Sequence, residues 1–430
     1  MRPLEVRDPI HGAIEVHDGE RSVIDHPLFQ RLRNVRQLGF SELAFPSATH
    51  NRYGHCIGAM HLADLAFQGI FQRAPVPRPV HERFRRCLRL ASLLHDVGHP
   101  PLSHCTESAL PPVEDLDLRV VGTPRTGRRA THEDFTVKII AESSLSVEIA
   151  RSGEASPAHV AALIDSDVPV GDDFFVHAGL DYRPLLAQLV SSELDMDRVD
   201  YLLRDSHFAG VEYGRFDHRW LLAHLRSHKV DGDRVHLALE QRAIYAFDDF
   251  LLSRYHMFLM VYYHYRPVVF EEMMLRWFKE TGGYAVPADV EEYVEADDGW
   301  LMARLRSSRS EWAARIVERR PYKLLMERHG GPDVGLAGFA SRLEEAGVPL
   351  IQTDSWGVLS KYAAGASTDL QGPTLYVVDE SPLLPEPVRP IQESTDLFVR
   401  YAQRRRLSRL YVPPSDVARA SALLSESPDP

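Results

Sequence analysis

Over its first 280 residues the chain sets apolar side chains at helical spacing. Leu28, Leu32 and Val35 fall at i, i+4 and i+7 behind Asp25, a residue suited to cap a helix with Pro27 in its first turn. Cys56, Met60, Ala63, Phe67 and Ile70 form a second stripe after NRYGH, and a Pro-rich break (74–80) separates it from a third, Phe84, Leu88, Ala91 and His95. Gly98, Pro100 and Pro101 stop that third helix. Residues 111–130 mix Pro, Gly and charge and read as an irregular loop; Thr131 then caps a helix with His132, Glu133 and Asp134 in its first turn. Further helices are predicted over roughly 190–206 and roughly 240–266, the latter ending at Pro267, while DRVHLALE (233–240) alternates like a strand. Beyond TGGYAVP (281–287), the best candidate boundary, the pattern is mixed. It is helical over 289–328, then broken into short apolar runs, LYVV (375–378) and LYV (410–412), that suggest strands, and the final SESPDP is expected to fray. The expected fold is mainly α: a helical core over 1–280 and a small mixed α/β lobe over 281–430, with a regulatory or oligomerisation role for the lobe.

Charge narrows the partners. The chain of 430 residues carries 49 Lys+Arg against 61 Asp+Glu, a formal charge of −12, so nothing draws it globally to nucleic acid or to an anionic membrane. Any phosphate it handles must be met by local arginines and a metal. No apolar run reaches membrane-spanning length, and MRPLEVRDPIHG is too charged for a signal peptide. Cys56, Cys87 and Cys105 make no even disulfide framework, which points to a reducing, cytoplasmic setting.

LLHDVGHPPLSH (93–104) holds the densest chemistry. His95 ends an apolar row, so its ring is expected to face inward beside Asp96, and a divalent cation is a good way to pair a buried imidazole with a carboxylate. The dipeptide alone says little, since His17-Asp18 repeats it in EVHDGE, where Gly19 reads as a turn. Context separates the two: a helix end, an apolar approach, and His99 and His104 close by. His55 upstream and Asp197 in SSELDMDRVDYLLRD would complete two imidazoles and two carboxylates from three helices, a mixed N/O site suited to Fe, Mn, Zn, Co or Mg. With 21 histidines, others compete for the same places.

The order H…HD…D with its flanks resembles the HD-domain phosphohydrolase superfamily and, more narrowly, its deoxynucleoside triphosphate triphosphohydrolase family. The matching stretches are RDPIHG (7–12), IDHPLFQRLRNVRQLG (24–39), FPSATHNRYGH (45–55), LLHDVGHPPLSH (93–104), THE (131–133), DMDRVDYLLRD (195–205) and SRYHMFLMVYYH (253–264). They run in order over about the first 270 residues, which is far more specific than the dipeptide. The resemblance implies an HD-domain helical core and a metal held by His55, His95, Asp96 and Asp197. It implies catalytic roles for His104, Glu107 and His132 with His99 in the same pocket, triphosphate contacts from Arg52, Arg198 and Arg254, and a sugar pocket of Tyr201, Asp205 and Tyr262. In that pocket a tyrosine crowds the ribose 2′ position and an aspartate accepts the 3′-hydroxyl. Gln37 and Leu38 fall where the family touches sugar and base, and Asp25, Gln30 and Arg33 match a guanine-reading effector pocket. The implied reaction converts a dNTP, with Mg²⁺ on its triphosphate, to a deoxynucleoside and inorganic triphosphate in a homo-oligomer, dimer or tetramer.

The spacing is physically coherent. Asp197, Tyr201 and Asp205 lie at i, i+4 and i+8, so one helix face presents ligand, sugar wall and hydroxyl acceptor, and Arg254, Phe258 and Tyr262 repeat the interval. A triphosphate carries about four negative charges, and Arg forks suit its oxygens. Plainer readings stand beside these. Asp205 also suits a helix-end pair with Arg204, Tyr262 an aromatic core, Asp25 a helix cap, and Arg125, Arg128 and Arg129 a solvated loop; Cys56 and Cys105 read as packing residues. Three positions depart from the mammalian members: Arg198 replaces a lysine, Phe258 a histidine, and Leu4 a basic effector-site residue. The rival functions are a 5′-nucleotidase or cyclic-nucleotide phosphodiesterase of the same superfamily and, in another class, a catalytically quiet nucleotide sensor or nucleic-acid-binding module.

Overall fold

Helices build the front of this computed structural model, which describes residues 4–171, 173–230, 232–282, 286–331, 335–357, 375–379, 388–397 and 405–425. An antiparallel hairpin, Leu4–Asp8 on Gly12–Val16, leads into the helix Asp18–Asp25. His17 caps that helix and Glu20 closes a capping box with Asp18 in the first turn, so the stretch around Gly19 begins a helix where a turn was expected. Asp25 is the last residue of this helix and not the cap of the next. His26 caps the short helix Pro27–Gln30, its Nδ1 accepting from the Leu28 amide at 3.3 Å. Leu28, Leu32 and Val35 are all buried, as their spacing requires.

The long helices Arg52–Arg73 and Arg78–Leu94 pack on each other, and the first also packs on Met196–Ala209. That second contact is close because residue 58 is glycine: a Cβ there would stand 2.0 Å from Asp200 Oδ1. Thr131 caps His132–Glu142 by accepting from the Asp134 amide, and Asp134 returns the bond. The helix expected from about 190 starts at Met196. Residues 191–195 bend because Asp195 takes the Ser192 and Arg198 amides, each at 2.8 Å, and so caps the helix instead of joining it. The stretch expected to end at Pro267 also divides differently. Ile244–Met257 passes into a π-helical turn, Phe258–Tyr262, and His264 caps a new helix, Tyr265–Glu280. Pro267 sits in that helix's first turn, where a missing N–H leaves no bond unmade.

Val235–Glu240 is a strand, pairing antiparallel with Leu225–Lys229 and parallel with Tyr376–Val378, on whose far side lies Val388–Pro390. Of the span expected to be helical over 289–328, Asp298–Ser307 and Glu311–Val317 are, but Lys323–Gly330 is a strand. It flanks Arg405–Val412, with Ile351–Gly357 on the other side. One large apolar core runs from Ile14 through Tyr293, Leu301 and Ile316, so packing continues past 281–287, of which 283–285 lie outside the described residues. A smaller core gathers Leu336, Phe339, Leu343 and Leu410. Of the SESPDP tail, 426–430 also lie outside them. Among the described residues no helix is long and apolar enough to cross a membrane.

Candidate metal centre and adjoining cleft

The buried row Phe84, Leu88 and Ala91 delivers His95 to the inner end of its helix, where it is the capping residue. The turn after it folds tightly: the Val97 amide donates to the Leu94 carbonyl and the His99 amide to the Asp96 carbonyl, at 3.0 and 3.1 Å. Gly98 lets this turn lie on the start of helix His132–Glu142, since a Cβ would meet the His132 carbonyl oxygen and the Thr136 nitrogen at 2.3 Å. Thr136 Oγ1 accepts from the Gly98 amide and donates to the His95 carbonyl, both at 3.0 Å. From behind, buried Arg31 donates to the carbonyls of Val97, His99 and Ala296 at 2.7–2.9 Å and stacks over Tyr293, whose hydroxyl donates to the Gly98 carbonyl. Leu102 and Ser103 then hold φ of 56° and 59°, costly for residues with a Cβ, and the Leu102 amide donates to Asp298.

Against this turn the helices bring together three of the four expected ligands, His55, His95 and Asp197, with the fourth, Asp96, alongside and bonded to Arg52. His55 Nε2 is 3.2 Å from His95 Nε2 and 3.0 Å from Asp197 Oδ1, and His95 Nε2 is 3.5 Å from the same oxygen. Asp96 puts Oδ2 3.5 Å from His55 Nε2 and Oδ1 3.5 Å from His95 Nε2. Donors about 2.1 Å from a common cation, at tetrahedral or octahedral angles, stand about 3.0–3.4 Å apart, so this set fits a divalent metal. Its outer contacts fit too. His55 Nδ1 donates to Asp200 Oδ2 at 2.7 Å and His95 Nδ1 to the Ser92 carbonyl at 2.8 Å, leaving both Nε2 atoms free as ligands.

The electrostatics match a cation site. Burial alone would strip the proton from His55, but the carboxylates of Asp197 and Asp200 outweigh it and hold the ring up at about 10. Burial likewise opposes charge on Asp96, yet Arg52, His95 and His99 keep its carboxyl well below the usual range. Asp197 is held down in the same way by His55 and His95. Two imidazoles and two ionised acids crowded together are in effect waiting for a positive centre.

Beside the ligands lies a cleft of about 460 Å³, lined by Gln37, Leu38, Arg52, His99, His104, His132, Tyr201, Asp205 and Tyr262 among others. His99 stacks on His132 at 3.9 Å and meets His104 edge-on at 4.7 Å. Glu107 joins them, one oxygen on His132 Nδ1 and the other 3.2 Å from His104 Nδ1. Burial would raise that acid, but His104 and His132 hold it far below its ordinary value. Asp205 accepts from the Tyr262 hydroxyl at 2.7 Å, although the π-helical turn breaks the regular spacing from Arg254.

The three expected phosphate arginines are all tied up. Arg52 lines the cleft while bonding Asp96 and Ser103; Arg198 bonds Asp195 at 3.1 Å; Arg254 is buried and bonds Glu193 at 2.9 Å, behind the cleft wall. Arg125 and Arg128 bond Asp134, while Arg128 and Arg129 stay exposed as a solvated loop requires. Cys105 lines the cleft against Gly39 and Glu271, and Cys56 is core. Asp25 and Arg33 line a separate cavity of about 520 Å³ with Leu4, Arg7, His50 and Arg204, and Gln30 stands beside it accepting from Arg33 at 2.7 Å. Sequence reasoning passed over Asp200, His11, His50, Arg31 and Asp298. His11, in RDPIHG, donates to Asp200 at 2.6 Å; only its presence in a matching stretch hinted at a role.

Two family models match the chain in tandem. The HD domain matches residues 52–166 and the HD associated region residues 216–329. An uncharacterised protein of Bacillus subtilis, YwfO, is 31% identical over 261 residues, 60% of this chain and 51% of that protein. The human deoxynucleoside triphosphate triphosphohydrolase SAMHD1 is 31% identical over 228 residues, 49% of this chain and 35% of that one. Over these matches the chain spans about half of the one relative's length and about a third of the other's. The crystal structure of a hypothetical protein from Aquifex aeolicus superposes with a TM-score of 0.74 at 25% identity, covering 98% of this chain and all of the other. With the fold, the ligand spacing and both matched regions in agreement, the chain belongs to the HD-domain phosphohydrolase superfamily, an HD domain followed by its associated region.

Proposed function

We propose that the protein is a metal-dependent deoxynucleoside triphosphate triphosphohydrolase. One observation carries this reading: Asp96 and Asp197 of the metal-ligand set, the imidazoles of His104 and His132 that Glu107 ties together, and the Asp205–Tyr262 pair line a single cleft. The similarity to human SAMHD1, named for that activity, supports it. His55, His95, Asp96 and Asp197 would hold a divalent cation, which would supply Lewis acidity toward the phosphoryl oxygens and the attacking water. Glu107, kept ionised by its two imidazoles, orients His132 and stabilises its imidazolium, so His132 can protonate the departing 5′-oxygen while His104 exchanges protons with solvent. A water oxygen bonds to the α-phosphorus as the bond from phosphorus to the 5′-oxygen breaks, releasing deoxynucleoside and triphosphate. Asp205 offers an acceptor to a sugar hydroxyl, and Tyr201 and Tyr262 wall that side. Arg52 lines the cleft and receives the triphosphate as it competes with Asp96, and Arg198 and Arg254 join it only by leaving Asp195 and Glu193.

The cavity around Asp25 and Arg33 is the place for a guanine-nucleotide effector, and the reading carries with it a cytoplasmic homo-oligomer. The test is incubation of purified protein with each dNTP and NTP and with Mn²⁺ or Mg²⁺, products being resolved by chromatography and repeated with GTP and dGTP added. Deoxynucleoside plus inorganic triphosphate is the expected result. Orthophosphate released from monophosphates, with triphosphates untouched, would replace this reading with that of a 5′-nucleotidase.

A further inference from the structure

His50 stands in the wall between the catalytic cleft and the Asp25–Arg33 cavity, on the segment just before the first metal-ligand helix. Its ring is buried, and its Nε2 donates to Asp205 Oδ1 at 2.8 Å. The other oxygen of Asp205 accepts from Tyr262. The His50 ring lies flat on Phe208, at 4.6 Å and 16°, and Phe208 is three residues past Asp205 on the same helix. The His50 carbonyl accepts from the Gln37 amide at 3.1 Å, tying the segment to another residue of the cleft. Its Nδ1 is buried and has no hydrogen-bond partner among the described residues. A phenylalanine would fill the same space without that unmet acceptor, so packing alone does not account for a histidine here.

A carboxylate has about four lone-pair directions and accepts only. At Asp205 two are taken, one on each oxygen, by donors from separate segments, so the group cannot rotate and its remaining lone pairs keep a fixed direction. Asp205 lines the cleft, and what it accepts there is a ligand hydroxyl. We infer that His50 is a positioning residue that holds Asp205 for recognition of the sugar hydroxyl, making it a determinant of substrate discrimination. The inference rests on the dNTP reading above.

Paired substrates separate the two. Steady-state kinetics with Mn²⁺ compare a dNTP with the 2′,3′-dideoxy analogue of the same base, for wild type, His50→Ala and His50→Gln. For His50→Ala, kcat/KM on the dNTP should fall about 10- to 100-fold, the scale of one hydrogen bond to a charged group, mainly through KM, and the dideoxy analogue should change less than about twofold. His50→Gln, whose amide can donate to Asp205 from a similar reach, should recover most of the loss, and both variants should keep wild-type metal content. An equal loss on both substrates, or no loss at all, overturns the role of His50 and leaves the function standing. A wild-type protein that hydrolyses neither substrate overturns the functional reading and this inference with it.

Discussion

Asparagine at position 200 would remove one negative charge and almost no volume from the support of the metal centre. In the wild-type structure Asp200 is fully buried and takes four bonds: from His55 Nδ1 at 2.7 Å, His11 Nε2 at 2.6 Å, and Arg204 Nε and Nη2 at 2.8 and 3.0 Å. Arg204 keeps a second partner, Asp8, at 2.8 Å. Breaking a buried pair costs about 3–5 kcal/mol when one partner is left bare, so the surviving Asp8 contact argues for the low end, about 3 kcal/mol. For 430 residues the unfolding entropy at the midpoint is roughly 0.9 kcal/mol per degree, which turns that cost into a drop in Tm of about 3 °C. The effect on the metal is separate. An amide neither fixes the His55 tautomer nor raises its basicity as a carboxylate does, and losing such an outer contact weakens metal binding about 10- to 100-fold. Chelator competition with Mn²⁺ or Co²⁺, well below the Tm, reads the second quantity, and differential scanning calorimetry the first. Wild-type affinity in a variant with lowered Tm would mean that Asp200 serves packing alone, and the outer-contact reasoning would be wrong.

Because Asp197 and Asp200 hold His55 at about 10 in the cation-free protein, metal uptake displaces a proton, and apparent affinity should climb as pH rises from 6 to 9, by up to about tenfold per unit for each proton released. A flat affinity profile would contradict this. Burial raises Asp298 to about 6, against the amides of Leu102 and Arg36 that favour its charge, so the folded state takes up a proton there and gains stability as pH falls from about 6 toward 4. Above pH 6 that gain is lost, by up to about 3 kcal/mol, and Asp298→Asn should flatten this part of the pH dependence of Tm; parallel profiles would refute it. Gly98→Ala should push the catalytic turn off helix His132–Glu142, costing about 1–3 kcal/mol or more and most of the turnover, as seen by thermal melts and product assays. A fully active, wild-type-stable alanine variant would show that the close approach is not needed.

Local signals made much of this structure readable. The apolar row ending at His95, the Gly-Pro-Pro stop, the Thr131 cap and the alternation in DRVHLALE each act within a few residues, and each marks an element where expected. Errors came where a local pattern suits two outcomes. Pro267 fits a helix end and a helix start equally, and the stop at His264 is set by a side-chain cap. Lys323–Gly330 becomes a strand because Arg405–Val412, some 80 residues on, supplies its partner. The metal ligands could be approached because their motifs are dense, whereas Asp200 reaches His55 across 145 positions and His50 reaches Asp205 across 155. No spacing rule spans that distance.

Arg31 and Tyr293 have a consequence for how the chain can be divided. The turn carrying His95 and His99 is anchored by a guanidinium that also binds the carbonyl of Ala296, by a phenol at 293, and by the Asp298 carboxylate. All but the guanidinium come from beyond residue 280, where the sequence suggests a new region. Cutting there would leave the reactive loop without its backing, so an excised helical fragment would keep every ligand residue yet lose the brace that aims them. Chemistry written in the front of the polypeptide depends on mechanical support from its rear.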